Sequence, residues 1–383
     1  MIPKLVLITE IIAPYRIPVF NALALRTEID LHVIFLAEND PSLRQWRVYK
    51  SEIKFQYQVL TSWRRRIGRY NVLINPGVLK ALNTIGPDVV MCGGYNYLAS
   101  WEAGYWASWH RVPLLLWSES TGLDRRRGHR LVELMKARFL TLCQAFVVPG
   151  ISAMQYLKSL GIPEERIHTA PNAVDTGLFA GLAEDARQTE SQKHIGHPLP
   201  LRYFLYVGRL VQGKGVFDLL EAYARLDPAI RASVGLVFVG DGVDASDLQA
   251  RASQVTPGMI HFAGFVHRED LPEFYAKADA LIFPTHSDTW GLVVNEAMSC
   301  GLPVIASSVA GCVADLVRDC WNGYVVISGD PSQLAAAMSR IAVNPRMRKE
   351  MAARSRERIK SYSPAAWAEG MVRAVGWVFT GGQ

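Results

Sequence analysis

Apolar residues along this chain fall in short runs that alternate with stretches of helical period. In the first half, runs at residues 4–9, 30–36, 55–60, 89–92, 113–117 and 145–148 predict strands. Their near-continuous apolar character is that of strands buried on both faces. Between most of them apolar positions recur every three or four residues, which predicts helices over 19–25, 76–84, 100–110, 129–140 and 151–159. A polar stretch with Gly, Glu, Gln and His follows at 176–200. The alternation then restarts. Strands are predicted at 203–206, 236–239, 260–262, 280–283, 304–306 and 323–327, and helices at 217–225, 244–254, 271–277, 293–299, 333–343 and 347–361. A last, Trp-rich helix is predicted over 364–379.

Strands alternating with helices argue for mostly parallel sheets with helices on both faces. The predicted fold class is therefore α/β, as two Rossmann-like doubly wound domains facing across a cleft. The first spans 1–180, and a linker runs over 181–200. The second spans 201–362, and 363–383 forms a C-terminal helix returning toward the first domain. Ligands of such sheets sit beyond the carboxyl ends of the strands, where the two domains would enclose them.

Composition changes this picture little. The chain has 383 residues, 50% hydrophobic and 20% charged, which suits a soluble chain of two domains. Charge is more informative, because the net +6 is uneven: residues 1–180 hold 21 Lys and Arg against 14 Asp and Glu, and the remainder 20 against 21. A basic front half favours an anionic partner, such as a phospholipid surface or a phosphate-bearing acceptor. Arginine groups at 63–69 (WRRRIGR) and 125–130 (RRRGHR), with Lys136 and Arg138, fit either contact with an anionic membrane or plain solvated faces. They are too dispersed for a nucleic-acid footprint, and no nucleic-acid-binding motif accompanies them. Five cysteines (Cys92, Cys143, Cys300, Cys312, Cys320) lack metal-like spacing and are expected to be reduced. The first twelve residues are too short an apolar run for a signal peptide. No window approaches the roughly 18 apolar residues of a membrane span. The expected location is cytoplasmic, with peripheral contact at the inner membrane face as its variant.

The candidate chemistry lies in the second half. Residues 284–311, PTHSDTWGLVVNEAMSCGLPVIASSVAG, follow a strand and read as glycine loop, helix and strand, a βαβ unit. The helix start offers free backbone N–H groups and a positive dipole end, which suits a phosphate. Asp288 and Glu296 frame it, eight residues apart. Earlier, YVGRLVQGKGV at 206–216 places Arg209 and Lys214 among Gly208, Gly213 and Gly215. Glycines let backbone approach a ligand closely, and two cations would neutralise a diphosphate. Each feature also has a plain structural reading. The glycine loop fits a solvated turn, Glu296 a carboxylate serving its own helix dipole, and Asp288 a turn cap. Together, both carboxylates before and within a Gly-started helix favour a site. No Asp-x-Asp occurs, no GxGxxG follows the first strand and no Walker A loop is present, so no metal or cofactor is expected.

The pairing of GRLVQGKG with the Asp-x7-Glu spacing and EAMSCGLPVIAS resembles the retaining family 4 glycosyltransferases of GT-B fold. PNAVD at 171–175, VGDG at 239–242, FAGFV at 262–266 and NGYVV at 322–326 fall in the family's order. The likeness covers most of 170–330 and is looser in the front domain. It implies that Arg209 and Lys214 hold a donor diphosphate and steady it as leaving group. Gly291, Leu292 and Val293 would present backbone to the same phosphates, and Glu296 would accept from ribose hydroxyls. Asp288 stands where the family has a glutamate near the donor sugar, and is one methylene shorter. Phe265 and Val266 fall where the nucleobase is packed.

In the front domain, PLLLWSES at 113–120 ends a strand in polar residues, and Glu119 occupies the position where many family members carry a histidine. A carboxylate there would orient an acceptor or sugar hydroxyl, or would pair with Arg125 or Arg126 as a loop residue. CGGYN at 92–96 gives room through Gly93 and Gly94 and hydrogen-bonding groups through Tyr95 and Asn96, or is a tight turn. APYR at 13–16 replaces the family's Gly-rich first loop, so that Tyr15 and Arg16 would face an acceptor. The expected activity is sugar transfer with retention from a UDP- or GDP-linked donor to a saccharide or lipid-linked acceptor, in cell-surface polysaccharide or glycolipid synthesis. A sugar-nucleotide epimerase or a non-catalytic nucleotide-sugar sensor on the same fold is the alternative.

Overall fold

Runs of four or five apolar residues bounded by Gly, Pro or polar residues become strands with both faces covered. Val89–Cys92, Leu114–Trp117 and Ala145–Val148 are buried throughout. The computed structural model describes residues 1–40, 46–67, 70–122, 130–188, 199–255 and 259–381. The chain forms two units, Met1–Val174 with Ser363–Gln383, and Asp175–Tyr362.

In the first unit the order is β1 (Lys4–Thr9), α1 (Ile17–Ala24), β2 (Asp30–Phe35), β3 (Gln56–Val59), β4 (Trp63–Ile67), β5 (Tyr70–Ile74), α2 (Val78–Ile85), β6 (Val89–Cys92) and α3 (Leu98–His110). It continues with β7 (Leu114–Trp117), α4 (Arg130–Leu142), β8 (Ala145–Val148), α5 (Ile151–Ser159) and β9 (Ile167–Thr169). Seven strands make a parallel sheet in the order β3-β2-β1-β6-β7-β8-β9. Alternate residues of β1 feed separate cores on its two faces, Val6 and Ile8 in one, Leu5 and Leu7 in the other. The hairpin of β4 and β5 is antiparallel and stands outside this sheet.

The second unit holds α6 (Thr176–Gln188), β10 (Tyr203–Val207), α7 (Val216–Ala224), α8 (Pro228–Ser233), β11 (Gly235–Val239), α9 (Ala245–Ala252), β12 (Ile260–Gly264) and α10 (Leu271–Lys277). Then come β13 (Ala280–Phe283), α11 (Leu292–Ser299), β14 (Val304–Ser307), α12 (Val313–Leu316), β15 (Gly323–Val326), α13 (Pro331–Val343) and α14 (Pro345–Ile359). Its parallel sheet runs β12-β11-β10-β13-β14-β15. The last helix, α15 (Pro364–Phe379), belongs to the first unit. Its fully buried Trp367 packs on Phe20 of α1 and Trp117 of β7, with ring centroids 5.7 and 5.3 Å apart.

One expectation needs correcting. The polar stretch read as the start of a linker is α6, which buries Phe179 and Ala183 against the second unit. Arg187 of α6 donates to the backbone oxygens of Ala276 and Cys300, which anchors its end. Of the expected linker 181–200, residues 189–198 lie outside the described residues. The arginine-rich 63–69 region contributes a strand, β4, whose Trp63 and Arg65 are exposed.

Candidate functional site

In both sheets the strand order reverses at a pair of neighbours, β1 with β6 and β10 with β13. The loops leaving two such strands diverge and open a crevice at their carboxyl ends. In the second unit those loops are residues 208–215 after β10 and 284–291 after β13. The two motifs therefore meet at the switch point, although about seventy residues separate them.

Several bonds sew these loops together. The Lys214 Nζ donates to Asp288 Oδ2 at 2.5 Å and to the Ser287 carbonyl at 3.2 Å. His286 N–H donates to the Gly213 carbonyl at 3.1 Å, and the His286 Nε2 lies 2.5 Å from Asp218 Oδ2 of α7. Gly215, the residue before α7, has φ +70°, and a Cβ there would lie 2.0 Å from the Pro284 carbonyl oxygen. No residue with a side chain fits that contact. Asp288 also accepts from the Trp290 N–H through Oδ1, at 3.2 Å. One carboxylate oxygen of this aspartate thus caps the turn while the other fixes the Lys214 ammonium. Lys214 and Asp288 each keep 20% of the side chain exposed, so both remain open to a ligand.

Helix α11 starts at this crevice. Gly291 precedes it with φ +100° and offers no side-chain cap. The N–H groups of Leu292 and Val293 have no intrahelical acceptor, as in any first helical turn, and both residues are only half-buried. Arg209 follows β10, is exposed, and forms no ion pair among the described residues. Its backbone oxygen accepts from the buried Tyr206 hydroxyl at 2.8 Å, which holds the turn after Gly208. Phe265 and Val266 lie just past β12, with the Phe265 ring 42% exposed. One turn into α11, Glu296 Oε2 accepts from the Tyr275 hydroxyl at 2.7 Å. Burial pushes the Glu296 carboxyl up to about 7; the Tyr275 hydrogen bond and the Arg268 charge pull the other way and do not offset it. Free backbone donors, two cations and a carboxylate a helical turn away are suited to a nucleoside diphosphate.

The first unit carries a separate cluster beyond the carboxyl ends of β1, β7 and β9. Arg16, which precedes α1, donates from Nη2 to Glu119 Oε1 at 2.5 Å and from Nη1 to Asn172 Oδ1 at 3.3 Å. Asn172 Nδ2 donates to the same carboxylate oxygen at 2.9 Å. The guanidinium lies 4.0 Å from the Trp117 ring centroid and 5.3 Å from that of Tyr15. Arg125 and Arg126, expected as loop partners of Glu119, lie outside the described residues. The carboxylate is engaged by Arg16. Burial pushes Glu119 up, yet the Arg16 charge and the hydrogen bonds from Arg16 and Asn172 outweigh it, so the carboxyl lies below its ordinary range. A depressed carboxyl contributes stability above the unfolded value, about pH 4.3, and loses it as pH falls through the folded value. Arg16→Met is therefore expected to lower the stability of this unit by about 2 kcal/mol at pH 7. The difference from wild type should shrink below about pH 4 in melting curves. An equal difference at pH 7 and pH 3.5 would show that Arg16 acts through packing alone.

Of the other front-domain residues, Gly93 and Asn96 are exposed beyond β6, with Gly94 between them at φ +147°. The Tyr95 ring is turned inward against Phe139, 6.0 Å between centroids, so its aromatic face serves the core. Tyr15 packs edge-on against Trp46 at 5.7 Å. Arg64 is paired with Asp40, and Lys136 is buried against the Tyr156 hydroxyl. The 125–129 group lies outside the described residues. Among the described residues no helix is long and apolar enough to cross a membrane. Asn172 and Tyr275 were not singled out from the sequence. The first lies within PNAVD, which was a signal; the second was read only as one apolar position of a helix.

Two family models match the chain: "Glycosyltransferase Family 4" over residues 22–178 and "Glycosyl transferases group 1" over 187–358. The D-inositol 3-phosphate glycosyltransferase of Thermomonospora curvata is 30% identical over 213 residues, 52% of this chain and 49% of that protein. Its counterpart in Acidothermus cellulolyticus is 32% identical over 208 residues, 52% of this chain and 45% of that protein. The chain thus matches over about half the length of these curated relatives. Among solved structures, Anabaena HepE in complex with UDP superposes with a TM-score of 0.75 at 18% identity, covering 98% of this chain and 99% of that one. Sucrose-phosphate synthase from Thermosynechococcus elongatus gives a TM-score of 0.74 at 20% identity, covering 99% of each. At such identities the likeness is one of fold, and the fold is GT-B.

Proposed function

Because the chain belongs to the family 4 glycosyltransferases, we propose that it transfers a sugar, with retention, from a nucleoside diphosphate donor to a hydroxyl of a saccharide or lipid-linked acceptor. The observation that carries this reading is the Lys214–Asp288 pair, which joins the loops after β10 and β13 at the switch point beside the start of α11. HepE, of the same fold, was solved with UDP and with UDP-glucose, which supports a nucleotide-sugar donor. The relatives named for D-inositol 3-phosphate support a hydroxyl acceptor that carries an anionic group.

In this reading the donor diphosphate lies against the N–H groups of Leu292 and Val293, with Arg209 and Lys214 on its oxygens. As the glycosidic bond breaks, negative charge grows on the diphosphate, and donors already fixed in place stabilise it without rearrangement. Lys214 would leave Asp288 in part, freeing that carboxylate for a hydroxyl of the sugar. Glu296 accepts from the ribose. The acceptor oxygen bonds to the anomeric carbon as the bond to the diphosphate breaks, and the acceptor's proton passes to the departing diphosphate oxygen, so the chain's share of the chemistry is electrostatic. The acceptor belongs to the first unit, where Arg16 and Glu119 stand beyond the carboxyl ends of β1 and β7.

The test is release of diphosphate from a panel of UDP-, GDP- and ADP-sugars, with and without saccharide or inositol phosphate acceptors, and the anomeric configuration of the product by NMR. Acceptor-dependent release with the donor's configuration kept is the expected result. Consumption of donor without acceptor, giving an isomeric sugar, would make the protein an epimerase. Binding with no turnover would make it a sensor.

A further inference from the structure

The Tyr275 hydroxyl is the one hydrogen-bond partner of Glu296 among the described residues. The ring is fully buried in α10, held edge-on by Phe179 of α6 at 6.2 Å between centroids. A phenol enclosed in this way is held where its hydroxyl meets the carboxylate. The bond takes Oε2 of Glu296, and Oε1 has no partner among the described residues.

We propose that Tyr275 is the positioning residue of the nucleotide site: its hydroxyl locks the Glu296 carboxylate in one rotamer, leaving Oε1 to accept from the ribose of the donor. The inference rests on Glu296 being the ribose carboxylate. A buried carboxylate is costly to keep charged, and a hydrogen bond to its charged form offsets part of that cost. The groups that face it are few. Tyr275 comes from α10, Arg268 from the segment before α10, and Cys300 from the far end of α11 itself. Arg268 acts through its charge, Cys300 is a neutral thiol pushed up by burial, and Tyr275 alone donates a hydrogen bond to the carboxylate. Burial keeps the Tyr275 phenol protonated well beyond neutral pH, so it stays a donor throughout the range in which Glu296 titrates.

With the Glu296 carboxyl raised toward neutrality, ribose binding that needs the carboxylate strengthens as pH rises through about 7 and weakens below it. Removing the phenol hydroxyl takes away stabilisation of the charged form, which moves the break to higher pH.

The experiment is the affinity of wild type, Tyr275→Phe, Glu296→Gln and the double variant for UDP-glucose, with GDP-glucose and ADP-glucose run in parallel, from pH 5.5 to 8.5. Sugar nucleotides are chosen because their diphosphate does not titrate in this range. Wild-type affinity is expected to fall about tenfold per pH unit below the break. Tyr275→Phe should show the break displaced upward by about one unit, so that it binds about tenfold more weakly at pH 6.5 and approaches wild type at pH 8.5. Glu296→Gln should bind weakly with no break. In that background Tyr275→Phe should change affinity by less than about twofold, because the residue acts only through the carboxylate. Full affinity in Glu296→Gln would overturn the ribose reading itself. A weak Glu296→Gln beside a Tyr275→Phe with the wild-type pH profile would overturn the role of Tyr275 and leave that reading standing. Equal losses from Tyr275→Phe in both backgrounds would mean that Tyr275 acts through packing, and would also overturn it.

Discussion

Replacing Lys214 by alanine is expected to lower turnover by about 10²- to 10³-fold, the loss seen when one preorganised donor to developing charge is removed. Stability should change by no more than about 1 kcal/mol, because the Lys214–Asp288 pair is partly exposed and its removal opens no cavity in the core. The two effects separate because the ammonium sits at the rim of the sheet, and the strands beneath it are packed by other residues. Donor affinity should weaken less than turnover, since charge on the diphosphate is greatest as the sugar departs. Steady-state kinetics on the donor identified by the panel, set beside a melting curve, checks this. Parallel loss of fold and turnover would reassign Lys214 to a structural role.

Gly215→Ala should do the reverse and act first on the fold. At φ +70° a side chain costs about 1–2 kcal/mol. The new Cβ would also meet the Pro284 carbonyl oxygen, which must move for it to fit. About 3 kcal/mol in total is expected, or a midpoint about 6–12 °C lower for a unit of this size. Donor binding should fall with it, because the same contact sets the spacing between the loops of Lys214 and Asp288. Gly213→Ala is the control: its Cβ would meet nothing within 4 Å and its backbone is not left-handed, so stability should change by under about 0.5 kcal/mol. Similar melting of the two variants would contradict the close approach of these loops.

Much of this architecture can be read from the chain because both sheets are parallel and covered on each face. Four consecutive apolar residues between turn residues, as in Ala280–Phe283, have few other folds open to them. Elements whose burial is thin were harder to see. In α6 only Phe179 and Ala183 are buried among polar residues and two glycines, so composition alone suggested a linker. In β4 the alternation of a strand is hidden under three arginines.

The same distinction holds at the sites. The loops of Lys214 and Asp288 were legible because each carries its own glycine signature next to its own strand, and the topology then joins them. The partners of the carboxylates were not. Glu119 is met by Arg16, 103 positions away in the chain, and by Asn172, 53 positions away. Glu296 is met by a tyrosine that looks, in sequence, like any core position of a short helix. Side chains brought together by packing leave no spacing to read.

The central claim is that the loops after β10 and β13 and the start of α11 hold a nucleoside diphosphate. Its most direct test is the thermal midpoint of wild type, Lys214→Ala and Glu296→Ala with UDP, GDP and ADP, each with and without a chelator. A rise in midpoint with one diphosphate, unchanged by chelator and diminished in both variants, is the result expected here. No rise with any of the three, or an equal rise in the variants, would contradict it.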